Sequence, residues 1–317
     1  MTASPLTASS SFPPVKTWTW QGFSICYQQQ GDTGIPVILV HGFGASWWHW
    51  RKNIPYLAQT CRVYAIDLIG FGGSAKPTPG ELQPGKQIPY SFETWGQQIA
   101  DFCREVVGTP AVFVGNSVGC IAAMQAAAYA PDLVIGVAML NCSLRLLHDR
   151  KRSGLPWHRR FGAPLIQKLL AVQPVGKFFF QQLAKPKTVK KILLQAYAHP
   201  EAVTDELVDL LMAPAKDAGA VAVFVAFTAY SQGPLPEDLL PQLSCPAIFL
   251  WGTADPWEPV ELGQELANYP QVQKFIPLKG VGHCPQDEAP ELVNPILQDW
   301  IVELGSRESG VASRESG

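Results

Sequence analysis

The chain has 317 residues, of which 47% are hydrophobic and 16% are charged, and its formal net charge at pH 7 is -2. This composition is that of a folding chain, and it excludes a largely disordered protein. The seven cysteines stand singly, with no C-x-x-C pair and no Cys/His spacing suited to zinc, so we predict a reduced intracellular protein that binds no metal and no cofactor.

The two ends of the chain show no pattern of a targeting signal. Residues 1–15 are rich in Ser, Thr and Pro without the basic and apolar regions of a signal peptide, and we expect a flexible arm there. No apolar run reaches the ~18 residues that span a bilayer, and the nearest, residues 218–230, suits a buried helix better. Residues 305–317 repeat Ser-Arg-Glu-Ser-Gly and are expected to be disordered. These features predict a cytoplasmic protein.

Strand and helix patterns alternate through the first part of the chain. The near-continuous apolar run at residues 36–40 is typical of a buried parallel strand. The other strands in this part are predicted at residues 23–27, 62–68, 111–114 and 134–140, and the helices at residues 92–107 and 118–129.

The alternation stops at residue 143, and the chain up to about residue 235 is helix-like and repeatedly broken by proline. Strand patterns then return at residues 247–251 and 272–277, with helices predicted at 260–267 and 291–304. A strand–helix series that is interrupted and then completed indicates a parallel sheet carrying an insertion. We therefore predict an α/β core of residues 16–142 and 236–304, with a helical cap of residues 143–235.

The segment Gly115-Asn116-Ser117-Val118-Gly119 has the G-x-S-x-G pattern of a nucleophilic serine, and it lies between a predicted strand and a predicted helix. Such a serine occupies a strained turn that lifts its hydroxyl above the sheet. Side chains two residues to either side would collide with neighbouring backbone, which explains the glycines. Taken alone, the pattern would also suit a glycine-rich turn with a surface serine. In this context Ser117 is the candidate nucleophile.

A serine hydroxyl is a weak nucleophile at neutral pH and needs a base. His283 ends a Gly-Val-Gly-His segment directly after the last predicted strand, and Asp255 follows the strand before it. The chain order Ser…Asp…His is that of the α/β-hydrolase fold. Taken alone, a surface loop histidine and an Asp-Pro turn would also explain the two residues. Asp287 lies too close to His283 in sequence for the acid, and the strand ending at Asn141 offers an amide instead.

Acyl transfer also requires an oxyanion hole. The backbone N–H of Val118, at the start of a helix, is one expected donor, and the N–H of Phe43 is the other. Phe43 belongs to a His-Gly-Phe-Gly loop that begins at His41 and follows the strand at residues 36–40. We expect His41 to shape this loop rather than to take part in catalysis.

The predicted cap is strongly basic. Residues 143–200 contain twelve of the chain's 24 Lys and Arg residues but only one acid, Asp149. Large apolar side chains are scattered among the bases, and they include Phe161, Leu165, Leu169, Leu170, Phe178, Phe179 and Phe180. The simple explanation of this pattern is that the bases lie on solvated helix faces, while the apolar side chains of the same helices pack into the core. The functional alternative is a surface that rests on an anionic membrane. Nucleic acid is not expected as a partner, because no binding motif accompanies the charge.

Several motifs between about residue 36 and residue 300 resemble those of the chlorophyll dephytylases of plants and cyanobacteria. The related pheophytinases share the Gly-Asn-Ser and Gly-His-Cys-Pro patterns. The motifs are His41-Gly42-Phe43-Gly44-Ala45-Ser46 with His49-Trp50-Arg51, Val63-Tyr64-Ala65-Ile66-Asp67-Leu68, Gly115-Asn116-Ser117-Val118-Gly119, Leu140-Asn141-Cys142 and Gly280-Val281-Gly282-His283-Cys284-Pro285-Gln286-Asp287.

This resemblance implies hydrolysis of the ester that joins phytol to the chlorin ring of chlorophyll or a derivative, at or near a thylakoid membrane. Ser117, Asp255 and His283 occupy the family's triad positions. In the same motifs Gly42 and Asn116 are expected to bind substrate, as is Trp257, whose Asp-Pro-Trp segment is nearer the pheophytinase pattern. Any magnesium would belong to the pigment.

Three other readings remain open from the sequence. A general lipophilic carboxylesterase and a carbon–carbon bond hydrolase would use the same fold and the same three residues. The third is a protein that has this fold but no catalytic activity, and that binds a pigment or a partner. Serine at position 117 argues against haloalkane dehalogenases and epoxide hydrolases, because their nucleophile is a carboxylate.

Overall fold

The computed structural model describes residues 12–77, 89–151, 169–170 and 172–315. Three predictions fall partly outside these residues, namely the flexible arm at residues 1–11, the cap at residues 152–168 and 171, and the disordered tail at residues 316–317. Four of the basic cap residues lie in that undescribed stretch of the cap: Arg152, Arg159, Arg160 and Lys168.

Eight strands form one sheet in the order β1-β2-β4-β3-β5-β6-β7-β8. The first two pairings, β1 with β2 and β2 with β4, are antiparallel, and every pairing from β4 to β8 is parallel. The strands are β1 Lys16–Trp20, β2 Phe23–Gln30, β3 Pro36–Val40, β4 Arg62–Ile66, β5 Ala111–Asn116, β6 Val134–Leu140, β7 Ala247–Gly252 and β8 Val272–Leu278. The predicted α/β-hydrolase fold, with its mostly parallel sheet, is confirmed.

Eleven α-helices lie within the described residues. They are α1 Ile54–Leu57, α2 Phe92–Phe102, α3 Val118–Tyr129, α4 Gln173–Leu183, α5 Pro186–Ala196, α6 Asp205–Met212, α7 Ala220–Ala229, α8 Pro236–Leu239, α9 Val260–Gln264, α10 Pro285–Glu288 and α11 Pro290–Glu315. Short 3₁₀ turns occur at Trp47–Trp50, Pro131–Leu133, Pro200–Ala202, Pro214–Lys216, Leu240–Gln242 and Glu265–Asn268, and a π-helical turn at Cys103–Val107 continues α2.

The sheet separates two hydrophobic cores. Along β3, Ile38 and Val40 join the core on one face, whereas Val37 and Leu39 join the core on the other. All four side chains are fully buried, as expected for a parallel strand covered by helices on both sides. The carboxyl ends of the parallel strands meet at one edge of the sheet. This edge carries the loops that follow β3, β5, β6, β7 and β8.

The helices α4 to α7 lie between β6 and β7 in the sequence, where the cap was predicted. Helices α5 and α6 share a small core of their own, formed by residues such as Leu193, Val208 and Met212. Cys284, from the loop after β8, packs into this cluster and joins the cap to the sheet edge. Among the described residues no single helix is both long and apolar enough to span a membrane. Only the pair Asp205–Lys216 and Ala220–Ala229, bent by 94°, reaches that length and composition jointly.

The structure differs from the sequence prediction at both ends of the core. Strand β1 was not predicted, because three of its five residues are exposed and its apolar pattern is weak. Helix α11 runs to Glu315, although its end was predicted at residue 304 and disorder beyond it. Residues 305–315 contain no proline that would end the helix, although Gly305 and Gly310 are poor helix formers. The polar repeat was therefore a poor signal for the end of the helix.

Candidate active site

Ser117 occupies the sharp turn between β5 and α3. Its backbone has φ 55° and ψ -122°, a conformation that an ordinary side chain adopts only under strain. A Cβ at Gly115 would lie 2.6 Å from the backbone N of Cys120, and one at Gly119 would lie 2.5 Å from the carbonyl O of His41. Both glycines are thus required by close backbone contacts, as the sequence predicted.

His283 lies between Ser117 and Asp255. Its Nε2 is 3.0 Å from Ser117 Oγ, and its Nδ1 is 2.7 Å from Asp255 Oδ2. Because the carboxylate only accepts, Nδ1 carries the proton and Nε2 is left to accept from the serine hydroxyl. The structure therefore brings together the three residues that the sequence selected, with His283 between the serine hydroxyl and the carboxylate.

Asp255 is held by four hydrogen bonds. Oδ2 accepts from His283 and from Nδ2 of Asn141 at 2.7 Å, and Oδ1 accepts from the backbone N–H groups of Trp257 and Glu258 at 2.9 and 3.1 Å. Burial alone would raise the pKa of Asp255. The hydrogen bond and charge of His283, together with the bonds from Asn141 and Trp257, lower the pKa overall. Asp255 is therefore ionised and fixed in orientation.

Asn141 is a site residue that the sequence prediction missed. It ends β6 beside β7, and its Oδ1 accepts the backbone N–H of Gly252 at 2.9 Å while its Nδ2 binds Asp255. Its φ of 43° is left-handed, a conformation that asparagine tolerates better than most residues. In the sequence, Asn141 belongs to the Leu140-Asn141-Cys142 motif, but as an amide it was excluded as the acid of the site and was given no other role. The sequence signal that could have identified Asn141 is its position directly after β6, whose neighbour in the sheet is β7, the strand that precedes Asp255.

The loop that carries His283 is braced from several directions. The backbone N–H of His283 donates to the carbonyl O of Ala196 in the cap at 2.8 Å, and its carbonyl O accepts from Nδ2 of Asn116 at 3.1 Å. The neighbouring N–H of Gly282 donates to Oε2 of Glu288 at 2.9 Å. The position of the candidate base therefore depends on the cap as well as on the core.

The two backbone N–H groups expected to hold an oxyanion belong to Val118, next to Ser117, and to Phe43, in the loop beside the serine. Val118 is the first residue of α3, so its N–H has no acceptor within the helix. Phe43 follows Gly42 in a turn closed by the bond from Ala45 N to Gly42 O, which leaves the Phe43 N–H unused by the turn. A Cβ at Gly42 would approach Ser117 Cβ to 3.3 Å, which shows how closely this loop passes the serine.

His41 is fully buried beneath this loop. Its Nε2 accepts the backbone N–H of Leu68 at 3.1 Å, and its Nδ1 is 2.7 Å from the carbonyl O of Gly42. Burial lowers the pKa of His41 to about 4. These are the contacts of a neutral residue that shapes the loop, which is the role the sequence analysis expected for it.

A cavity of about 410 Å³ opens onto the candidate nucleophile, a volume within the usual range of ligand sites. Ser117, His283, Gly42, Asn116 and Trp257 all line it. Most of the remaining lining is apolar and comes from the cap: Phe180, Leu183, Ala184, Val189, Ile192, Leu193, Ala196, Leu211, Met212, Ala215 and Phe224.

The three residues expected to bind substrate have different surroundings. Gly42 lies against Ser117, and the Trp257 ring meets the His283 ring edge-on at 4.8 Å and is 42% exposed. Asn116 is buried, and its side-chain Nδ2 donates hydrogen bonds to two backbone carbonyls, those of Leu140 and His283. Asn116 therefore contributes to the cavity wall while its amide hydrogens position the histidine loop.

Two polar groups interrupt the apolar lining. The carboxyl of Glu258 accepts from Ser143 Oγ and from Leu144 N, both at 3.0 Å, and burial raises the pKa of Glu258 to about 7. His49 is 2.9 Å from the Tyr197 hydroxyl, and burial lowers its pKa to about 4. Neither residue was selected from the sequence, because neither stands in a motif with an assigned chemical role.

The Tyr197 hydroxyl connects the cap to a buried ion pair in the core. It donates to Oδ2 of Asp287 at 2.8 Å, and Asp287 Oδ1 lies 2.8 Å from Arg51 and 3.2 Å from Lys52. Burial would raise the pKa of Asp287, but its interaction with His49 and the positive charges of Arg51 and Lys52 lower it overall. Asp287 is therefore a structural carboxylate, and it takes no part in the hydrogen bonds that join Ser117, His283 and Asp255.

A family model described as the alpha/beta hydrolase family matches residues 37–296. The chloroplast pheophytinase of Arabidopsis thaliana is 27% identical over 298 residues, which cover 85% of this chain and 62% of the relative. This chain thus corresponds to less than two thirds of that relative's length. The uncharacterized hydrolase YugF of Bacillus subtilis is 26% identical over 290 residues, 91% of this chain and 98% of the relative.

Among solved structures, a thermophilic esterase from Thermogutta terrifontis superimposes with a TM-score of 0.71 and 23% identity, covering 92% of this chain and 99% of the esterase. At that identity the likeness concerns the fold. The family model covers most of the chain, including the serine turn, the position of Asp255 and the histidine loop. The chain therefore belongs to the alpha/beta hydrolase family and has pheophytinase-like relatives.

Proposed function

We propose that this hydrolase cleaves carboxylic esters of bulky lipophilic substrates, and that its substrate class is the phytyl ester of chlorophyll or a related pigment. The observation that carries the proposal is the hydrogen-bonded series Ser117–His283–Asp255 opening into a mostly apolar cavity. Such a relay activates a serine hydroxyl, and such a lining accepts a long hydrocarbon chain and a flat ring.

The reaction begins when His283 Nε2 takes the proton from Ser117 Oγ, and the oxygen attacks the ester carbonyl. The resulting oxyanion accepts hydrogen bonds from the N–H groups of Phe43 and Val118. His283 then gives the proton to the departing phytol oxygen, which leaves an acyl-serine. Water attacks this ester in the same way, with His283 as the base, and releases the chlorin acid. Asp255 stays ionised throughout and stabilises the imidazolium.

The apolar cavity favours a lipophilic ester over a small polar one. Burying a methylene group contributes about 0.8 kcal/mol, so a long polyprenyl chain gains most from the cap side chains. The likeness to the Arabidopsis thaliana pheophytinase, together with the motifs that join Gly-Asn-Ser to Gly-His-Cys-Pro, supports a pigment ester within this class. The nucleophile position holds a serine rather than the carboxylate that epoxide hydrolysis requires, which supports ester chemistry.

The proposal is tested with detergent-solubilised chlorophyll a and pheophytin a. The wild-type protein is expected to release chlorophyllide or pheophorbide together with phytol, separated by chromatography, and Ser117→Ala is expected to lower the rate by at least about a thousandfold. Ser306→Ala, which changes an exposed serine on α11, is the matched control and should retain full activity. The ratio of the two products identifies the preferred pigment.

A panel of short-chain esters and vinylogous diketones is assayed in parallel. Hydrolysis of the esters without release of either pigment product would contradict the pigment assignment and indicate a general lipophilic carboxylesterase. Cleavage of the diketones alone would indicate carbon–carbon bond hydrolysis. If the folded protein turns over none of these substrates, the catalytic proposal itself is wrong and a binding role takes its place.

A further inference from the structure

Helix α4 has two different faces, one of which is packed. Gly176 is buried, and a Cβ there would lie 2.6 Å from a side-chain methyl of Val225 on α7. The Phe180 ring lies 5.3 Å from that of Phe224, also on α7, and Phe180 and Leu183 line the cavity above Ser117. The spacing of residues 176, 180 and 183 is that of one helix face. This face forms part of the cavity wall.

Beside Lys177, Gln181 and Gln182, the outer surface of α4 carries an exposed apolar part. Its side chains, and those of the segment just before the helix, are 41–63% exposed, with the largest value at Phe178. Such a cluster of large apolar side chains on one surface usually marks an interaction site. We call it the outer apolar patch, and it consists of Leu169, Val172, Val175 and Phe178. Phe179 is also partly exposed, but its ring stacks on that of Phe224 at 6.3 Å, so it borders the packed face.

The chain segment that contains the outer apolar patch carries charge of one sign. From residue 169 to residue 200 the sequence contains five lysines and no Asp or Glu. Lys190 pairs with Asp205 of α6, whereas the remaining four stand on α4, at its end or on α5. These four are Lys177, Lys185, Lys187 and Lys191. An exposed apolar patch on a lysine-rich segment without acids matches the surface of a bilayer that contains anionic lipid.

We propose that α4 docks on an anionic lipid bilayer through the outer apolar patch, with the four lysines contacting lipid phosphates. The helix separates this surface from the cavity by its own diameter, about 10 Å. A lipophilic ester could therefore pass from the bilayer to the cavity around a single helix without crossing bulk water.

The test uses vesicles of phosphatidylcholine with 30% phosphatidylglycerol, as a chosen composition, and vesicles of phosphatidylcholine alone. The full-length protein should sediment with the anionic vesicles and dissociate as salt is raised, because surface charges are screened at high ionic strength. Lys177→Glu, Lys187→Glu and Lys191→Glu should each lower the partition coefficient at least about fivefold. Phe178→Gln should lower it about tenfold.

Matched controls lie on other surfaces. Val302→Gln changes an apolar residue on α11 that is 55% exposed, and Lys279→Glu changes an exposed lysine after β8. Both should bind anionic vesicles like the wild type. Every patch variant should hydrolyse a soluble short-chain ester at the wild-type rate, which verifies its fold. Ser117→Ala should bind vesicles normally, so vesicle binding is decided independently of the proposed reaction.

Three results would overturn the docking surface. Wild-type binding that is equal on both vesicle types and insensitive to salt would exclude the role of the lysines. Unchanged binding of Phe178→Gln and the lysine variants would place the membrane contact elsewhere. A dimer in sedimentation equilibrium that Phe178→Gln converts to a monomer, without vesicle binding by either form, would assign the patch to a second copy of the chain.

Discussion

At the scale of single residues, the candidate site depends on side chains of two kinds. Ser117 and His283 stand in motifs whose glycines are required by the local backbone, so their positions could be predicted from the sequence. Asn141 could not, because its role arises from a contact with Asp255, which lies 114 positions further along the chain. Position 141 holds an amide rather than a carboxylic acid, and this amide donates a hydrogen bond to Asp255.

Asn141→Gly tests this contribution. Glycine tolerates the left-handed backbone at position 141 and removes the amide that holds Asp255 and the N–H of Gly252. A hydrogen bond to a charged group contributes about 1.5–3 kcal/mol, so we expect kcat on a short-chain ester to fall at least about tenfold, with KM nearly unchanged. Steady-state kinetics measure both values. A kcat equal to that of the wild type, in a variant that remains folded, would show that Asp255 is oriented without Asn141.

At the scale of elements, the strands and core helices were predicted well and the cap was predicted only as a block. Residues 36–40, 118–129 and 134–140 correspond to β3, α3 and β6 without any shift of their ends. These segments are buried on both sides or follow a glycine turn, so apolar runs mark their limits. The cap helices are partly exposed and are separated by short turns, and their apolar pattern does not show which face meets the cavity.

Among the contacts between elements, the one between the cap and the histidine loop affects the active site most directly. Tyr197, at the end of α5, hydrogen-bonds His49 and Asp287, and the adjacent Ala196 accepts the N–H of His283. A displacement of this end of α5 would therefore also move the candidate base.

Tyr197→Phe is expected to loosen this contact while retaining the packed ring. Loss of the hydroxyl leaves Asp287 Oδ2 and the His49 Nε2 atom each without the partner that Tyr197 provides. This loss is expected to lower the free energy of unfolding by about 1–3 kcal/mol. We expect a lower Tm and faster amide hydrogen exchange at residues 196–199. Tyr129→Phe, on an exposed tyrosine of α3, is the control and should match the wild type. Equal exchange in the two variants would show that the hydroxyl does not hold the cap in place.

At the scale of the whole molecule, charge is unevenly distributed along the chain. Residues 143–200 carry half of the Lys and Arg residues, and the remainder of the chain holds 25 of the 26 acids. The sequence showed this separation, but it could not show that α4 carries the outer apolar patch on one side and lines the cavity with another. That arrangement depends on how α4 packs against α7, through Gly176 and Phe180.

The central claim is that Ser117 is a nucleophile activated by His283, and fluorophosphonate labelling tests it most directly. The reagent is incubated with the wild type, Ser117→Ala and His283→Ala, and the modified peptide is identified by mass spectrometry. We expect one adduct on Ser117 in the wild type, none in Ser117→Ala, and labelling slowed by at least about a hundredfold in His283→Ala. An unlabelled wild-type protein, or equal labelling rates in the wild type and His283→Ala, would contradict the proposed relay.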